Sequence, residues 1–269
     1  MKINMLPKNP LFGPFEKLCQ SLTIILAICY SFNNRLKSQN KQLVDNYAKN
    51  NINIDHLYSG VALPICDLTI ILEKDYHPDY YIAGMHSVKG EEYINYTDTL
   101  LFKTNAWLIA QSYEVFETFL KDIMSNYLVE SQDYVTKNEA KQFVRKCFRG
   151  KNNRELLKCM RNIAPLLNCF EKINSRGIDL KAWYEAVSKI RHAVTHTNSF
   201  ILKKEIQGTF TTVSKYFSLS ESNGGYLLTI KKHETTKAIE CFGEYALLIY
   251  KCMSLSKNYK WENENTKST

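Results

Sequence analysis

The stretch that decides the fold is Asp179 to Thr197, D-L-K-A-W-Y-E-A-V-S-K-I-R-H-A-V-T-H-T. Apolar residues recur at Leu180, Trp183, Val187, Ile190 and Val194. Spacings of three and four put them on one face of an α-helix. Asp179 has the short acceptor side chain that caps the first turn. Lys181 and Glu185 stand four apart, an i,i+4 pair in the less favourable order. At the end of this helix come Ile190 to Asn198, I-R-H-A-V-T-H-T-N, which place Arg191, His192 and His196 within six residues. No other segment concentrates proton-transfer and anion-binding side chains in this way. His192 and His196 lie about 40° apart around the helix axis, whereas Arg191 and His196 lie about 140° apart and do not stack.

Three readings of this cluster are open. A His-x3-His pair on a helix is a candidate metal site, but no Glu follows His192 directly, as H-E-x-x-H would require, and no third ligand stands nearby. Histidine exchanges protons near neutral pH and arginine holds phosphate in a two-pronged grip, which together suit chemistry on a phosphodiester. The third reading is a solvated helix face.

The surrounding pattern favours a helical domain. The chain has 269 residues, enough to bury a core without staples. It is 45% hydrophobic and 12% aromatic, with 10 Gly and 6 Pro. That composition describes a folded globular protein that is helical rather than a sandwich or barrel. The net charge of +8 permits a polyanionic partner without requiring one. The eight cysteines form no C-x-x-C pair, so a zinc ribbon or a thioredoxin-like motif is unsupported. The expectation is buried free thiols in a reducing cytoplasm.

Outward from the central helix, Asp98 to Glu130 predicts a long helix apolar on more than one side. Its Glu114, Glu117 and Asp122 are candidate orienters of the Arg/His cluster, although such residues are more often a solvated face. Thr136 to Phe148 and Leu156 to Ile173 predict further helices, the second interrupted at Pro165 and stopped by Ser175-Arg176-Gly177. Arg149, Lys151 and Arg154 form a basic loop, a candidate contact for nucleic-acid phosphates or a solvated turn. Ser222-Asn223-Gly224-Gly225 is a strong turn signal. Thr209 to Val213 and Tyr216 to Leu219 read as strand on one side, and Tyr226 to Ile230 on the other. Thr235 to Leu255 predicts the closing helix, and residues 257–269 a frayed polar tail.

Ahead of the long helix, Leu18 to Phe32 is the most apolar run in the chain. Its fully apolar part, Ile24 to Tyr30, is shorter than the roughly 20 residues of a membrane span, and the segment predicts a buried helix continuing to about Asn50. Val61 to Leu72 reads as a strand or a short helix, His77-Pro78 as a turn. The division expected is an N-terminal helical and mixed extension over 1–95, a helical domain over 96–256 and a flexible tail.

The pattern apolar-Arg-polar-small-apolar-x-His-x-Asn near the C-terminal end of a helix resembles the HEPN superfamily, whose R-x4-6-H motif marks metal-independent ribonucleases. Arg191 matches the Arg, His192 the polar neighbour and His196 the His; the resemblance extends over about Thr97 to Met253, with a β-hairpin insertion before the last helix. It implies a mainly α, HEPN-like bundle with an N-terminal helical extension. It also implies a metal-independent endoribonuclease with Arg191, His192 and His196 as catalytic residues, no cofactor and no metal. The implied partners are RNA, a second copy in a homodimer, and an antitoxin or regulatory protein, in a cytoplasmic toxin or anti-phage setting with no membrane. The reading from a different class is a non-catalytic helical module that binds RNA or protein.

Overall fold

The structure, a computed structural model, describes residues 9–66, 80–131, 133, 136–148 and 153–261. In chain order the elements are α1 (Phe12–Lys49), β1 (Tyr58–Cys66), β2 (Tyr80–Lys89), α2 (Gly90–Glu130), α3 (Lys137–Phe148), α4 (Asn153–Ile163) and α5 (Pro165–Phe170). There follow α6 (Leu180–His196), β3 (Phe200–Leu202), α7 (Lys203–Ile206), α8 (Phe210–Tyr216), β4 (Leu219–Ser222), β5 (Gly225–Leu228) and α9 (Lys232–Ser256). The protein is mainly helical, with two small antiparallel sheets.

The chain divides into two compact units, Met1–Ser31 with Phe102–Thr269, and Phe32–Leu101. This differs from the expected boundary near residue 95, and the reason lies in α1. Leu11, Phe15, Leu18, Leu22, Ile25 and Cys29 alternate at spacings of four and three, and all are buried in the core of the larger unit. Phe15 stacks on Tyr250 of α9 at 5.2 Å between ring centres. Asn9 pins the entry, its amide donating to Tyr250 Oη at 3.0 Å and to Ser254 Oγ at 2.9 Å. Outside that stripe Ile24, Ile28, Tyr30 and Phe32 are exposed. By length and composition α1 is the one described helix apolar enough to cross a membrane, and 33% of its most apolar window is buried.

The larger unit's core is built from α2, α6 and α9. Phe116 of α2 packs against Phe242 and Tyr245 of α9, each ring pair 5.3 Å apart, and Trp183 of α6 meets Phe242 edge-on at 4.8 Å. Such offset and edge-on pairs suit the ring quadrupole. At the start of α3, Thr136 and Glu139 exchange side-chain to backbone hydrogen bonds of 3.2 and 3.0 Å, a reciprocal cap. Pro165 does break the predicted helix over 156–173: α4 ends at Ile163 and α5 starts at the proline, which has no N–H to offer the helix.

Below α5 the chain turns on Asn174, whose Oδ1 accepts from Arg176 N and Ile178 N while its Nδ2 donates to Ile178 O at 2.7 Å. Beside that turn, Glu171 is fully buried. It receives Nε and Nη2 of Arg161 at 2.7 and 3.0 Å and the hydroxyl of Tyr245, with Lys181 Nζ at 3.8 Å. One carboxylate thus links the segment after α5 to α4, α6 and α9.

After α6, β3, β5 and β4 form a three-stranded sheet in that order. The predicted hairpin is present, β4 pairing with β5 around Asn223-Gly224, and Gly224 adopts φ +81°, which favours glycine. Thr209 to Val213, expected as strand, is instead the N-cap and first turn of α8, and of Tyr216 to Leu219, also expected as strand, Tyr216 ends α8 and only Leu219 belongs to β4. Val213 and Phe217, four residues apart, are both buried, and α8 packs on α6. A one-sided contact of that period overrides the β-propensity of threonine. Gly225 runs so close to β3 that a Cβ there would stand 2.2 Å from Ile201 O. Gly225→Ala is expected to separate the strands and lower stability by about 1–3 kcal/mol, measurable as a lower thermal midpoint.

The tail also departs from expectation at its start. Tyr259 Oη donates to Glu130 Oε2 at 3.0 Å, and Lys251 lies over the Trp261 ring at 4.1 Å.

In the second unit β1 and β2 form a two-stranded antiparallel ribbon with a register irregularity at Leu63/Pro64. Val61, Leu63, Ile82 and Met85 are exposed along it. This resolves the open choice as strand over Val61 to Cys66, while residues 67–72 of that segment and His77-Pro78 lie outside the described residues.

Candidate functional site

Helix α6 begins as the sequence predicts. Asp179 Oδ1 accepts from Lys181 N and Ala182 N, both at 3.0 Å. Leu180, Trp183, Tyr184, Ala186, Val187, Ile190 and Ala193 are buried. The expected Lys181–Glu185 pair does not form: Lys181 Nζ donates to Asn168 Oδ1 at 2.7 Å, and Glu185 meets Arg154. At the far end Thr197 Oγ1 donates to Ala193 O at 3.0 Å. Asn198 and Ser199 then take φ of 51° and 67° and turn the chain into β3. Asparagine tolerates that region well and serine less so. The Arg/His cluster therefore occupies the last two turns of a firmly seated helix.

Arg191 faces α2. Its Nη2 is 3.1 Å from Glu114 Oε1, its side chain is 33% exposed, and its Nε is buried with no hydrogen-bond partner. Glu117 is one turn further along α2. Burial raises its carboxyl pKa, the positive charges of Lys121 and Arg191 lower it, and Glu114 raises it again; the balance stays above the ordinary value. Tyr113 stacks on Tyr184 of α6 at 5.1 Å. Burial also raises its hydroxyl pKa, opposed by hydrogen bonds with Tyr184 and Ser188. Of the three acidic residues considered as orienters, Glu114 and Glu117 surround Arg191, whereas Asp122 pairs with Lys141 at 2.7 Å.

His192 lies on another side of the helix, about 100° from Arg191. It lines a cavity of about 450 Å³ with Arg154, Ser188, Lys189, Ala193, Ile201 and Glu205. The rings of His192 and His196 are 4.8 Å apart at 48°, and both residues are exposed. Lys189 Nζ donates to Glu205 O at 3.1 Å, which fixes the floor of the cavity to α7. Arg154, expected in a basic loop, sits in the first turn of α4 and bridges to Glu185 of α6 at 3.3 Å. Arg149 and Lys151 lie outside the described residues. Among the described residues no group of three or more His, Cys, Asp or Glu is arranged to hold a metal ion.

No family model, curated protein or solved structure matches this chain. What the site can do chemically follows from its own geometry.

That geometry brings His192 and His196 together beside a cavity with two cationic side chains. It holds Arg191 in a defined direction with Glu114. The cavity that His192 lines does not include Arg191, as the helical spacing of the two residues requires. Ser188, Lys189 and Glu205 escaped the sequence reading. Ser188 and Lys189 precede His192 by four and three residues, so a search of the same helix face finds them; Glu205 comes from α7 and carries no such signal.

Cys19, Cys29, Cys147, Cys159, Cys169, Cys241 and Cys252 are free thiols, with Cys29, Cys241 and Cys252 buried and Cys169 exposed. Burial pushes the Cys241 thiol up to about 12 and the Cys252 thiol up to about 11. A thiol-directed reagent at neutral pH is expected to label Cys169 first and to leave Cys241 and Cys252 until unfolding, as read by peptide mass mapping.

Proposed function

We propose that this protein is a metal-independent endoribonuclease of the HEPN type that acts as a homodimer on RNA. The observation that carries the reading is the end of α6: an arginine oriented by an acidic residue of α2, and one turn of exposed histidines next to a cavity with Arg154 and Lys189. In this reading His196 takes the proton from an RNA 2′-hydroxyl or gives one to the leaving 5′-oxygen. His192 serves the other transfer or positions His196. Arg191 holds the scissile phosphate and offsets the charge that builds during 2′-oxygen attack on phosphorus. The products are a 2′,3′-cyclic phosphate and a free 5′-hydroxyl. Two copies of α6 facing one another bring two arginines and two histidine pairs into one cleft, which answers the divergence of Arg191 and His196 within one helix. An antitoxin or regulatory protein, in a toxin or anti-phage role in the cytoplasm, belongs to the same proposal.

A second reading, a non-catalytic helical module that binds RNA or protein, draws on the engagement of Arg191 with Glu114. Incubation of total RNA with the protein in excess EDTA, wild type beside His196→Ala, separates the two. Cleavage that survives EDTA and is lost in the variant is the expected result. Cleavage lost to EDTA points to metal chemistry at His192 and His196. RNA left intact by folded wild-type protein overturns the nuclease reading in favour of the module.

A further inference from the structure

A second cavity, of about 490 Å³, opens where α8, the turn before α6 and the first turns of α9 meet. Arg176, Lys215, His233 and Lys237 all line it, and Glu234 is its acidic member. Glu234 is already occupied: its Oε1 accepts from Ser218 N at 2.6 Å and from Ser218 Oγ at 2.9 Å, and its Oε2 from Lys231 N at 2.7 Å. Arg176 is likewise neutralised by Glu240 and Glu244, at 3.2 and 2.6 Å. Lys215 and Lys237 differ: both are exposed, and among the described residues neither lies within ion-pair distance of a carboxylate. Lys215 and Lys237 therefore bring two ammonium groups without ion-pair partners to the cavity, where the N-terminus of the 25-residue helix α9 adds a partial positive charge of its own.

The opposite wall is aromatic. Trp183 and Phe217 are buried beneath it and Tyr216 is half-buried. Lys215 Nζ stands over the Tyr216 ring, 5.5 Å from its centre. Unpaired lysines next to a half-buried tyrosine ring, in a volume within the roughly 300–1,000 Å³ of small-molecule sites, match a ligand with both an anionic and a flat apolar part. We propose that this cavity binds a nucleotide, with Lys215, His233 and Lys237 on its phosphates and Tyr216 against its base. None of these residues belongs to the α6 cluster, so the inference goes beyond the ribonuclease reading and stands without it.

Isothermal titration at low salt in EDTA tests it, using each of the four ribonucleoside 5′-diphosphates in turn, the corresponding nucleosides, and inorganic phosphate. At least one diphosphate is expected to bind about tenfold or more tightly than its nucleoside and than inorganic phosphate. Lys215→Ala/Lys237→Ala, exposed changes checked for folding by circular dichroism, is expected to weaken that binding by a further tenfold or about that. His196→Ala is expected to bind like wild type, which keeps this result independent of RNA cleavage. Three results each overturn the proposal: no diphosphate binding to wild type at millimolar concentration, equal binding by the double variant, or inorganic phosphate binding as tightly as the diphosphates.

Discussion

Glu171→Ala is expected to destabilise the larger unit by about 3–5 kcal/mol. Glu171 is fully buried and its two oxygens hold Arg161, at 2.7 and 3.0 Å, together with the Tyr245 hydroxyl. Removing the carboxylate strands a half-buried guanidinium and a buried phenol, and the cost is mostly that of the groups left behind. Arg161→Met/Glu171→Leu should therefore recover most of the loss, because the charge and its partner leave together. Chemical denaturation of the three proteins measures this, and a double variant as unstable as Glu171→Ala contradicts the account. The network also sets an alkaline limit. Burial, and then the neighbouring Glu171 charge, hold the Tyr245 hydroxyl pKa well above its ordinary value of 10.0. The neutral form is favoured in the folded state, so this contribution is complete below the unfolded value and declines as pH rises beyond it. Tyr245→Phe is expected to flatten that decline.

Arg191→Ala is expected to reduce RNA cleavage by about 10²–10³-fold, within the range for loss of one group that stabilises transition-state charge. Glu114→Gln provides the informative contrast. An exposed ion pair contributes about 0–1 kcal/mol to stability, so the role of Glu114 in this proposal is to aim the guanidinium. Glu114→Gln retains a hydrogen-bond acceptor in the same place, and a loss of only a few-fold is expected, with helicity and melting unchanged. Equal rates for wild type and Arg191→Ala would remove Arg191 from the chemistry and leave it a surface residue tied to α2. Because Arg191 and the His192 cavity point to different sides of α6, cleavage should also fall with dilution as a dimer dissociates. Sedimentation at the assay concentrations checks this.

What the sequence determined by itself was local. The Asp179 cap and the spacing of Leu180, Trp183, Val187 and Ile190 specify α6, because capping and helical period act within a few residues. Asn223-Gly224 specifies a turn, because only certain residues accept its backbone angles. The roughly 100° step between neighbouring helix positions was enough to foresee that Arg191 and the histidines diverge.

Tertiary structure decided the rest. Glu114, Glu117 and Asp122 were equal candidates until packing sent two of them to Arg191 and the third to Lys141. Thr209 to Val213 has the composition of a strand, yet the burial of Val213 and Phe217 makes the segment α8. Glu171 stands in a polar turn and gives no sign in the sequence of becoming the buried junction of three helices. Its side-chain partners Arg161, Lys181 and Tyr245 are contributed by α4, α6 and α9. The basic cavity at Lys215, His233 and Lys237 was invisible for the same reason: its walls come from segments far apart in the chain. Periodicity records which side of an element is buried but not what it is buried against, and only packing supplies the second half.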